Sequence, residues 1–453
     1  MTAAAIDTDL LEQVVGDLPR DPLAKARREA LSRFRQTGFP TPRQEDWKYT
    51  NLAPAAELSN RWLRDAAARA PQAVLGPAAA EHARRLTLAV EAHWLVIANG
   101  VVDPDSLAAV AGQDLAGLQV TSAAEGAETG SVKGSDAMSL FNTILLRDAL
   151  HVAIAPGAVL DKPIGVLVFD DAGTAVSQPR IVIEAGDNAR AEIVEVHASA
   201  GEGGQFANAV TEVTLGAGSA LAWVRLQERR EEHYQVGRLT VRLGRDASFD
   251  HAGFDLGGGL VRNDIAVDIA EPGAYVSLQG LYLAGGRQHI DNHTRVDHRV
   301  GPAKSVEEYR GILGDRARCV FNGKALVHEG ADGTDAQQAN HNLLLSDHAE
   351  IDTKPELEIY AEDVKCSHGA TVGQLDRNAL FYLRTRGLSE EEAAQALMRA
   401  FASTIVARAP VAAARDYVER AVATRLQTLL GDTSPESGAV GARIAGDRQR
   451  ENP

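Results

Sequence analysis

The chain has 453 residues, of which 45% are hydrophobic and 24% charged, a globular composition with room for about three domains. Its 46 Lys and Arg residues and 62 Asp and Glu residues give a formal net charge of −16, which argues against binding to nucleic acids or anionic membranes. The two cysteines, Cys319 and Cys366, exclude a disulfide-rich framework and a zinc ribbon with paired cysteines.

Residues 1–135 are predicted to form a helical N-terminal region with a few strands and a linker. The first 36 residues carry apolar side chains at helical spacing, with Asp21 as an N-cap and Gly38 at the end. The start of the chain lacks the basic and apolar segments of a signal peptide, and no stretch is long and apolar enough to span a membrane. We therefore expect a cytoplasmic protein.

The second half of this region is predicted to change from helix to strand. Ala and Arg favour a helix from Ala55 to Arg85. The runs LTLAV, from Leu86, and HWLVIANG, from His93, are predicted strands. Residues 121–137 are rich in Gly, Ser and Ala, and we expect a flexible link there.

A turn followed by a small residue and an apolar run recurs in the middle of the chain and predicts a β-helix core over residues 136–373. Spacings are 27 to 32 residues except for one of 43, interpreted as an insertion that contains RQHIDNHTRVDH. Alternating and β-branched segments between the turns predict strands, and propeller blades need about 40 residues, so a stacked coil is preferred. The aligned positions are Ala158, Ala189, Ser219, Ala247, Ala274, Ala317 and Ala349.

Residues 374–431 are predicted to be helical. Ser389 and Glu392 form a capping box at the start of one helix, and Pro410 separates it from a second helix that Gly431 ends. The polar residues 432–453 are expected to be a disordered tail.

Two groups of residues are candidates for a site. His289, Asp291, His293 and Asp297 lie at even offsets, so a strand would place them on one face, where they fit a divalent metal site. The alternative, a polar exterior face or a dimer contact, is preferred because no third convergent ligand is evident.

Cys366 and His368 are the second group. Two residues apart on an extended segment, the thiol and the imidazole project to the same side, which suits shared ligation of a soft metal. The alternative is a small buried apolar cysteine, and Cys319 is assigned to the core on that ground. Phosphate-loop and HExxH motifs are absent from the sequence, so ATP hydrolysis by this chain alone is not expected. A carbohydrate-active β-helix enzyme with paired carboxylates stays open.

The segment from Phe321 to Gly387, with KCSHGATVG at 365–373, resembles the SufB/SufD family, scaffold subunits of the SUF iron-sulfur cluster assembly machinery. HIDNHTRVDH at 289–298 also matches that family. GFPTPRQEDWKYTNL at 38–52 is similar to the N-terminal motif of the SufD members and not of the SufB members.

The resemblance implies a mainly β fold: a right-handed parallel β-helix between helical N- and C-terminal regions. It implies a heterodimer with a SufB-like paralogue and docking of a SufC-like ATPase on the helices of 374–431, so that ATP acts only through SufC. His368 would help to hold a transient iron-sulfur cluster shared with SufB, with Cys366 as the second choice, and the chain itself would not be an enzyme.

The resemblance gives no comparable role to His289 or His293. It leaves open whether reduced flavin binds in the complex and whether the isolated chain forms a homodimer. Besides the carbohydrate-active enzyme, a purely structural module that recruits SufC and iron without supplying cluster ligands stays an alternative.

Overall fold

The computed structural model describes residues 5–19, 21–65, 74–113, 115–123, 136–171, 175–431 and 443–444. A parallel β-solenoid of about eight turns lies between N-terminal and C-terminal helices, which confirms the predicted fold class. The helices are α1 Thr8–Asp17, α2 Ala24–Thr37, α3 Ala53–Arg64, α4 Pro77–Leu88, α5 Pro104–Ala111, α6 Ala137–Leu145, α7 Arg377–Thr385, α8 Glu390–Val406 and α9 Arg415–Gly431.

Most of the strands form the coils of the solenoid, and each full coil contributes one strand to each of two sheets. The strands before the regular coils are β1 His93–Ala98, β2 Val101–Val102, β3 Leu118–Ser122, β4 Leu150–Ile154, β5 Ile164–Asp170, β6 Ala175–Ser177 and β7 Arg180–Ala185. The later strands are β8 Arg190–Ser199, β9 Gln205–Leu215, β10 Ala220–Gln227, β11 Tyr234–Leu243, β12 Ser248–Asp255, β13 Leu260–Ile269, β14 Tyr275–Ala284, β15 His289–His298, β16 Lys304–Leu313, β17 Arg318–Val327, β18 Thr334–Leu344, β19 Glu350–Ile359, β20 Val364–Gly373 and β21 Arg443–Ile444.

Sheet I runs in the order β2, β1, β5, β8, β10, β12, β14, β16, β18, β20. Sheet II runs in the order β21, β19, β17, β15, β13, β11, β9, β7, β4, β3, with β6 beside β9. Neighbours are parallel except for the β1–β2 and β3–β4 pairs near the N-terminal end. Because parallel strands stay in register, each inward position of one coil stacks on the same position of the next coil.

The small residues of the repeat lie at the corners of the coils. The residue before each of them often has a left-handed backbone, as at Asn188 with φ 58° and Asp246 with φ 55°, a conformation that Gly, Asn and Asp tolerate best. Ala189 and Ala247, which follow, are 1% and 0% exposed. The corner therefore needs a small side chain, and this requirement produces the repeat.

The predicted insertion is wrong. Ala274 precedes β14 of sheet I, whereas Ala317 precedes β17 of sheet II, so the spacing of 43 joins corners on different sheets. The histidine-rich segment is β15, an ordinary strand in register with β13 and β17. Ala303, which precedes β16, is the corner that the alignment skipped.

Near the N-terminus the helix prediction is confirmed as α1 and α2, and α2 ends at Gly38, whose φ is 62°. The predicted N-cap Asp21 is wrong, because Leu23 is the N-cap residue of α2. The strand predicted at LTLAV is wrong because Leu86–Leu88 form the last turn of α4, where Leu86 packs into a buried cluster. The strand predicted at HWLVIANG is confirmed as β1. Most of the predicted link and most of residues 432–453 lie outside the described residues.

The inward faces of the two sheets form the largest hydrophobic core. Helices α3 and α6 pack on the outer face of sheet II, and α1 and α2 pack on these two helices. Phe206 and Val236 of sheet II belong to the same buried cluster. Helices α8 and α9 pack on the outer face of sheet I through side chains such as Met398 and Leu426, and the capping box of Ser389 and Glu392 is confirmed. Of the helices in the described ranges, none is long and apolar enough to cross a membrane.

Candidate functional site

The final strand of sheet I, β20, carries both Cys366 and His368. Among the described strands its one neighbour in the sheet is β18, where Cys366 pairs with Ala336 and His368 pairs with Gln338. Ala336 is 1% exposed and Gln338 is 5% exposed, so these positions face into the solenoid. Cys366 and His368 therefore also lie on the inward side, and the prediction that they project together is confirmed.

Both side chains are nevertheless accessible, because no described coil stacks on β20. Cys366 is half-buried and His368 is exposed. By contrast, the inward residues Cys319 and Phe321 are fully buried, because their strand, β17, lies between two other strands of sheet II. Inward positions that are buried in the interior coils are therefore accessible at β20.

The Cys366 thiol keeps its proton more firmly than an isolated cysteine. Partial burial raises its pKa, and the backbone hydrogen bond with Ala336 opposes that rise. Such a thiol becomes a good metal ligand when a bound cation or a positive charge of a partner stabilises the thiolate and so promotes loss of the proton. The pair can therefore offer one sulfur and one nitrogen donor from the same strand. Among the described residues, no group of three or more His, Cys, Asp and Glu side chains could hold a metal ion.

His289 and His293 lie on one face of β15, as predicted, and both flank the buried Asp291. The Thr50 hydroxyl lies 2.7 Å from Nε2 of His289 and also donates to Asp291 Oδ2. Nε2 of His293 lies 2.9 Å from Asp291 Oδ1. These contacts hold the N-terminal segment of the same chain against sheet II. The face is therefore an intrachain contact, which the preferred interpretation as a polar exterior face or a dimer contact did not foresee.

Arg262 completes this charged cluster. Its guanidinium donates to Asp291 at 2.8 Å and to the backbone oxygen of Asp46 at 2.7 Å, and it stacks 3.8 Å from the Trp47 ring. Burial would raise the pKa of Asp291, but His293 and Arg262 hold it well below its usual range. Sequence reasoning missed that Thr50 contacts His289 and that Arg262 and Trp47 belong to the same cluster, although the segment EDWKYT was recognised as part of a family motif.

The C-terminal helices differ sharply from one another. Helices α8 and α9 bury apolar faces against sheet I, whereas α7 has no buried residue. Phe381 and Tyr382 on α7 are 70% and 57% exposed. The Arg386 guanidinium donates to the Tyr382 hydroxyl at 3.0 Å and lies 5.2 Å from the centre of its ring, which restrains that side chain.

Comparison with known proteins gives a consistent result. Residues 168–401 match the family model "SUF system FeS cluster assembly, SufBD core domain", and residues 11–60 match the "SufBD protein N-terminal region". The chain is 30% identical over 425 residues to an iron-sulfur cluster assembly SufBD family protein of Synechocystis, covering 89% of this chain and 91% of that protein.

Two further relatives are named SufD. The iron-sulfur cluster assembly protein SufD of Escherichia coli is 29% identical over 391 residues, covering 85% of this chain and 88% of that protein. The protein of the same name from Bacillus subtilis is 24% identical over 274 residues, covering 58% of this chain and 63% of that protein.

Proposed function

Since the chain belongs to the SufBD family of SUF-system iron-sulfur cluster assembly proteins, we propose that it is a cytoplasmic scaffold subunit, not itself an enzyme. It builds a nascent cluster at an interface shared with a SufB-type paralogue. A SufC-type ATPase supplies ATP hydrolysis, and reduced flavin in the complex is a candidate electron source. The cluster is the transient product of this assembly, which is later passed on.

The observation that carries the proposal is the pair of donors at the uncovered end of the solenoid. Cys366 and His368 share the inward side of β20, and no described coil covers them. A paralogue with the same coil geometry could stack on this end and bury both side chains. In such an interface the neutral imidazole of His368 is the main ligand from this chain, and Cys366 is the second.

A docking place for the ATPase is the second part of the proposal. Helix α7 exposes Phe381 and Tyr382 and carries Arg384 close to Glu390 at 3.3 Å. An apolar helix face with basic side chains beside it suits a partner groove that is apolar with an acidic rim. Helices α8 and α9 bury their apolar faces against the solenoid, so α7 is the part of 374–431 that we assign to contact with SufC.

Anaerobic reconstitution tests the ligand role. The chain is purified together with the SufB-type and SufC-type proteins of the same organism, and cluster formation from iron and a sulfur donor is followed by absorption. We expect His368→Ala to lower cluster formation by about tenfold or more, and Cys366→Ala to have a smaller effect. The control is His348→Ala, which removes an exposed histidine from the turn before β19.

Unchanged cluster formation with His368→Ala would contradict the ligand role. That result, combined with normal complex assembly, would favour the alternative in which the chain only recruits SufC and iron. The carbohydrate-active alternative requires saccharide binding by the isolated chain.

Binding of the SufC-type protein tests the docking role. The double variant Phe381→Ala/Tyr382→Ala is expected to weaken binding by about tenfold or more, measured by calorimetry. Leu88→Ala, which truncates an exposed leucine at the end of α4, is the matched control and should bind as the unmodified chain does. Equal affinities for all three chains would place the docking surface elsewhere.

A further inference from the structure

Gln338 on β18 is the inward neighbour of His368 in the ladder of sheet I. It is 5% exposed, and its Nε2 donates to Glu307 Oε2 at 2.7 Å. Its carbonyl oxygen, Oε1, is buried and has no hydrogen-bond partner among the residues that the structure describes. A buried acceptor without a donor is costly, so this oxygen needs a donor from a side chain that can reach it.

We propose that Gln338 is a positioning residue for His368: its Oε1 accepts the N–H of one imidazole nitrogen and leaves the other nitrogen's lone pair facing the open end. The inference rests on the ligand role proposed for His368. Histidines that bind metals usually donate their second ring N–H to such an acceptor, which fixes the tautomer and the orientation of the ring. The chain supplies this acceptor from the coil beneath the ligand.

Glu307 determines which end of the Gln338 amide faces outward. Glu307 precedes Gln338 in the same ladder and is 5% exposed. Burial raises the pKa of its carboxyl to about 7, and the hydrogen bond from Gln338 opposes the rise. Above this pH the carboxylate only accepts, so it takes the amide NH2 group and leaves the carbonyl oxygen as the available atom.

Close packing limits other positions of the amide. A Cβ added at Gly323 of β17 would lie 2.1 Å from Nε2 of Gln338, so the amide lies directly against the backbone there. The absence of a side chain at Gly323 is what leaves room for the amide in the core. Held on one side by Glu307 and on the other by this backbone, the amide is ordered before any ligand binds.

The test measures the tautomer of His368 in the full chain without iron. The chain is labelled with 15N-histidine, and long-range 1H–15N spectra are recorded at pH 8, with the His368 signals assigned by their loss in His368→Ala. We expect one neutral tautomer to predominate, and the tautomer ratio to change about fivefold or more in Gln338→Met. The control is Gln337→Met, the same substitution on the exposed, opposite face of β18, which should keep the original ratio.

A second variant tests the same contact in case Gln338→Met does not fold. Glu307→Leu introduces the residue type found at Leu278, the preceding position of the ladder, and removes the carboxylate that holds the amide. It is also expected to change the tautomer ratio, by a smaller factor than Gln338→Met. An unchanged ratio in folded Gln338→Met or in folded Glu307→Leu would overturn the proposal.

An assay of cluster assembly distinguishes failure of the positioning role of Gln338 from failure of the ligand role of His368, on which it rests. Positioning predicts that Gln338→Met slows cluster formation by several-fold, whereas His368→Ala lowers it by about tenfold or more. A changed ratio with unimpaired assembly in Gln338→Met would overturn the positioning role but not the ligand role. Unimpaired assembly in His368→Ala would overturn the ligand role, whereas the tautomer measurement would still decide whether the contact exists.

Discussion

The middle and the end of the solenoid place the same kinds of side chain in opposite surroundings. His251 and His368 occupy one ladder of sheet I, which runs from His251 through Leu278, Glu307 and Gln338 to His368. His251 is 1% exposed, and burial, together with the charge of Arg225, lowers its pKa to about 3. His368 is exposed at the last coil.

The two cysteines repeat this contrast. Cys319 is fully buried, and burial raises the pKa of its thiol well above the usual range. Cys366 is half-buried at the end of sheet I. The backbone geometry is the same in both places, so the difference arises from whether another coil lies on top. An inward position of this fold becomes accessible where the repeat ends, with no change in the strand geometry.

The largest effect that can test this contrast is a core truncation. Phe249 and Cys366 belong to one inward ladder, and Phe249 is fully buried. We expect Phe249→Ala to lower the free energy of unfolding by about 3–5 kcal/mol and Cys366→Ala to change it by less than about 0.5 kcal/mol, measured by urea denaturation. Comparable losses of unfolding free energy at Phe249 and Cys366 would contradict the contrast between the middle and the end of the solenoid.

The N-terminal segment covers the outer face of sheet II, whereas no described strand lies beyond β20 at the end of sheet I. Thr50 is fully buried and contacts both His289 and Asp291. Thr50→Val removes the hydroxyl from this buried site, and we expect a loss of about 1–3 kcal/mol in the free energy of unfolding. Thr87→Val, which removes an exposed hydroxyl bonded to a helix backbone, is the control, and an equal loss there would contradict the prediction.

The pH dependence of stability sharpens the contrast at His251. Its pKa in the folded chain is about 3, below the value near 6.5 of an unfolded histidine, so the folded state favours the neutral ring. The stabilisation is complete above about pH 6.5 and is lost as the pH falls toward 3. His251→Leu removes this contribution. As the pH is lowered, the unfolding free energy of the variant should therefore fall less steeply than that of the unmodified chain, by up to about 1.4 kcal/mol per pH unit.

Urea denaturation at pH 6.5, 5.5 and 4.5 measures this slope. Phe249→Leu alters the core beside His251 without removing a titratable group, and its stability curve should run parallel to that of the unmodified chain. A parallel curve for His251→Leu as well would show that this histidine does not titrate on unfolding.

The smallest effect concerns the thiols and leaves stability unchanged. In the native isolated chain, a maleimide reagent is expected to modify Cys366 and to spare Cys319 until urea unfolds the core, as followed by mass spectrometry. Cys366→Ser should abolish the native adduct, and Cys319→Ser should retain it. Equal labelling of the two thiols in the native chain, or protection of Cys366 to the same degree as Cys319, would contradict the contrast.

The repeat could be predicted from the sequence because each corner needs a small residue, which in most corners follows a residue with a left-handed backbone. The same corner motif occurs on both sheets, so the alignment passed from Ala274 to Ala317 without detecting the change of sheet. Helix α6, which lies at the start of the predicted core, was missed because the repeat begins only after it. Leu86 was assigned to a strand because a short apolar run does not distinguish a strand from the end of a helix.

At the candidate site, the alternation of strand residues was enough to place Cys366 and His368 on one side. The same alternation, with Val364, Ala370 and Val372 on that side, also indicates that the side is the inward one. The sequence does not reveal that no described coil covers it. The contacts of Gln338 and Thr50 join residues of different strands or regions, so they follow only from the register and from tertiary packing.

Because the strands are parallel and in register, the number of coils determines the length of the solenoid. Neighbouring strands in a sheet lie about 4.8 Å apart, so the four steps from His251 to His368 span about 19 Å. Removing or adding one complete coil would move the open end in a single step of about 4.8 Å without altering the local arrangement of β20. The distance between the N-terminal helices and β20 at the end of sheet I therefore changes in steps of whole coils.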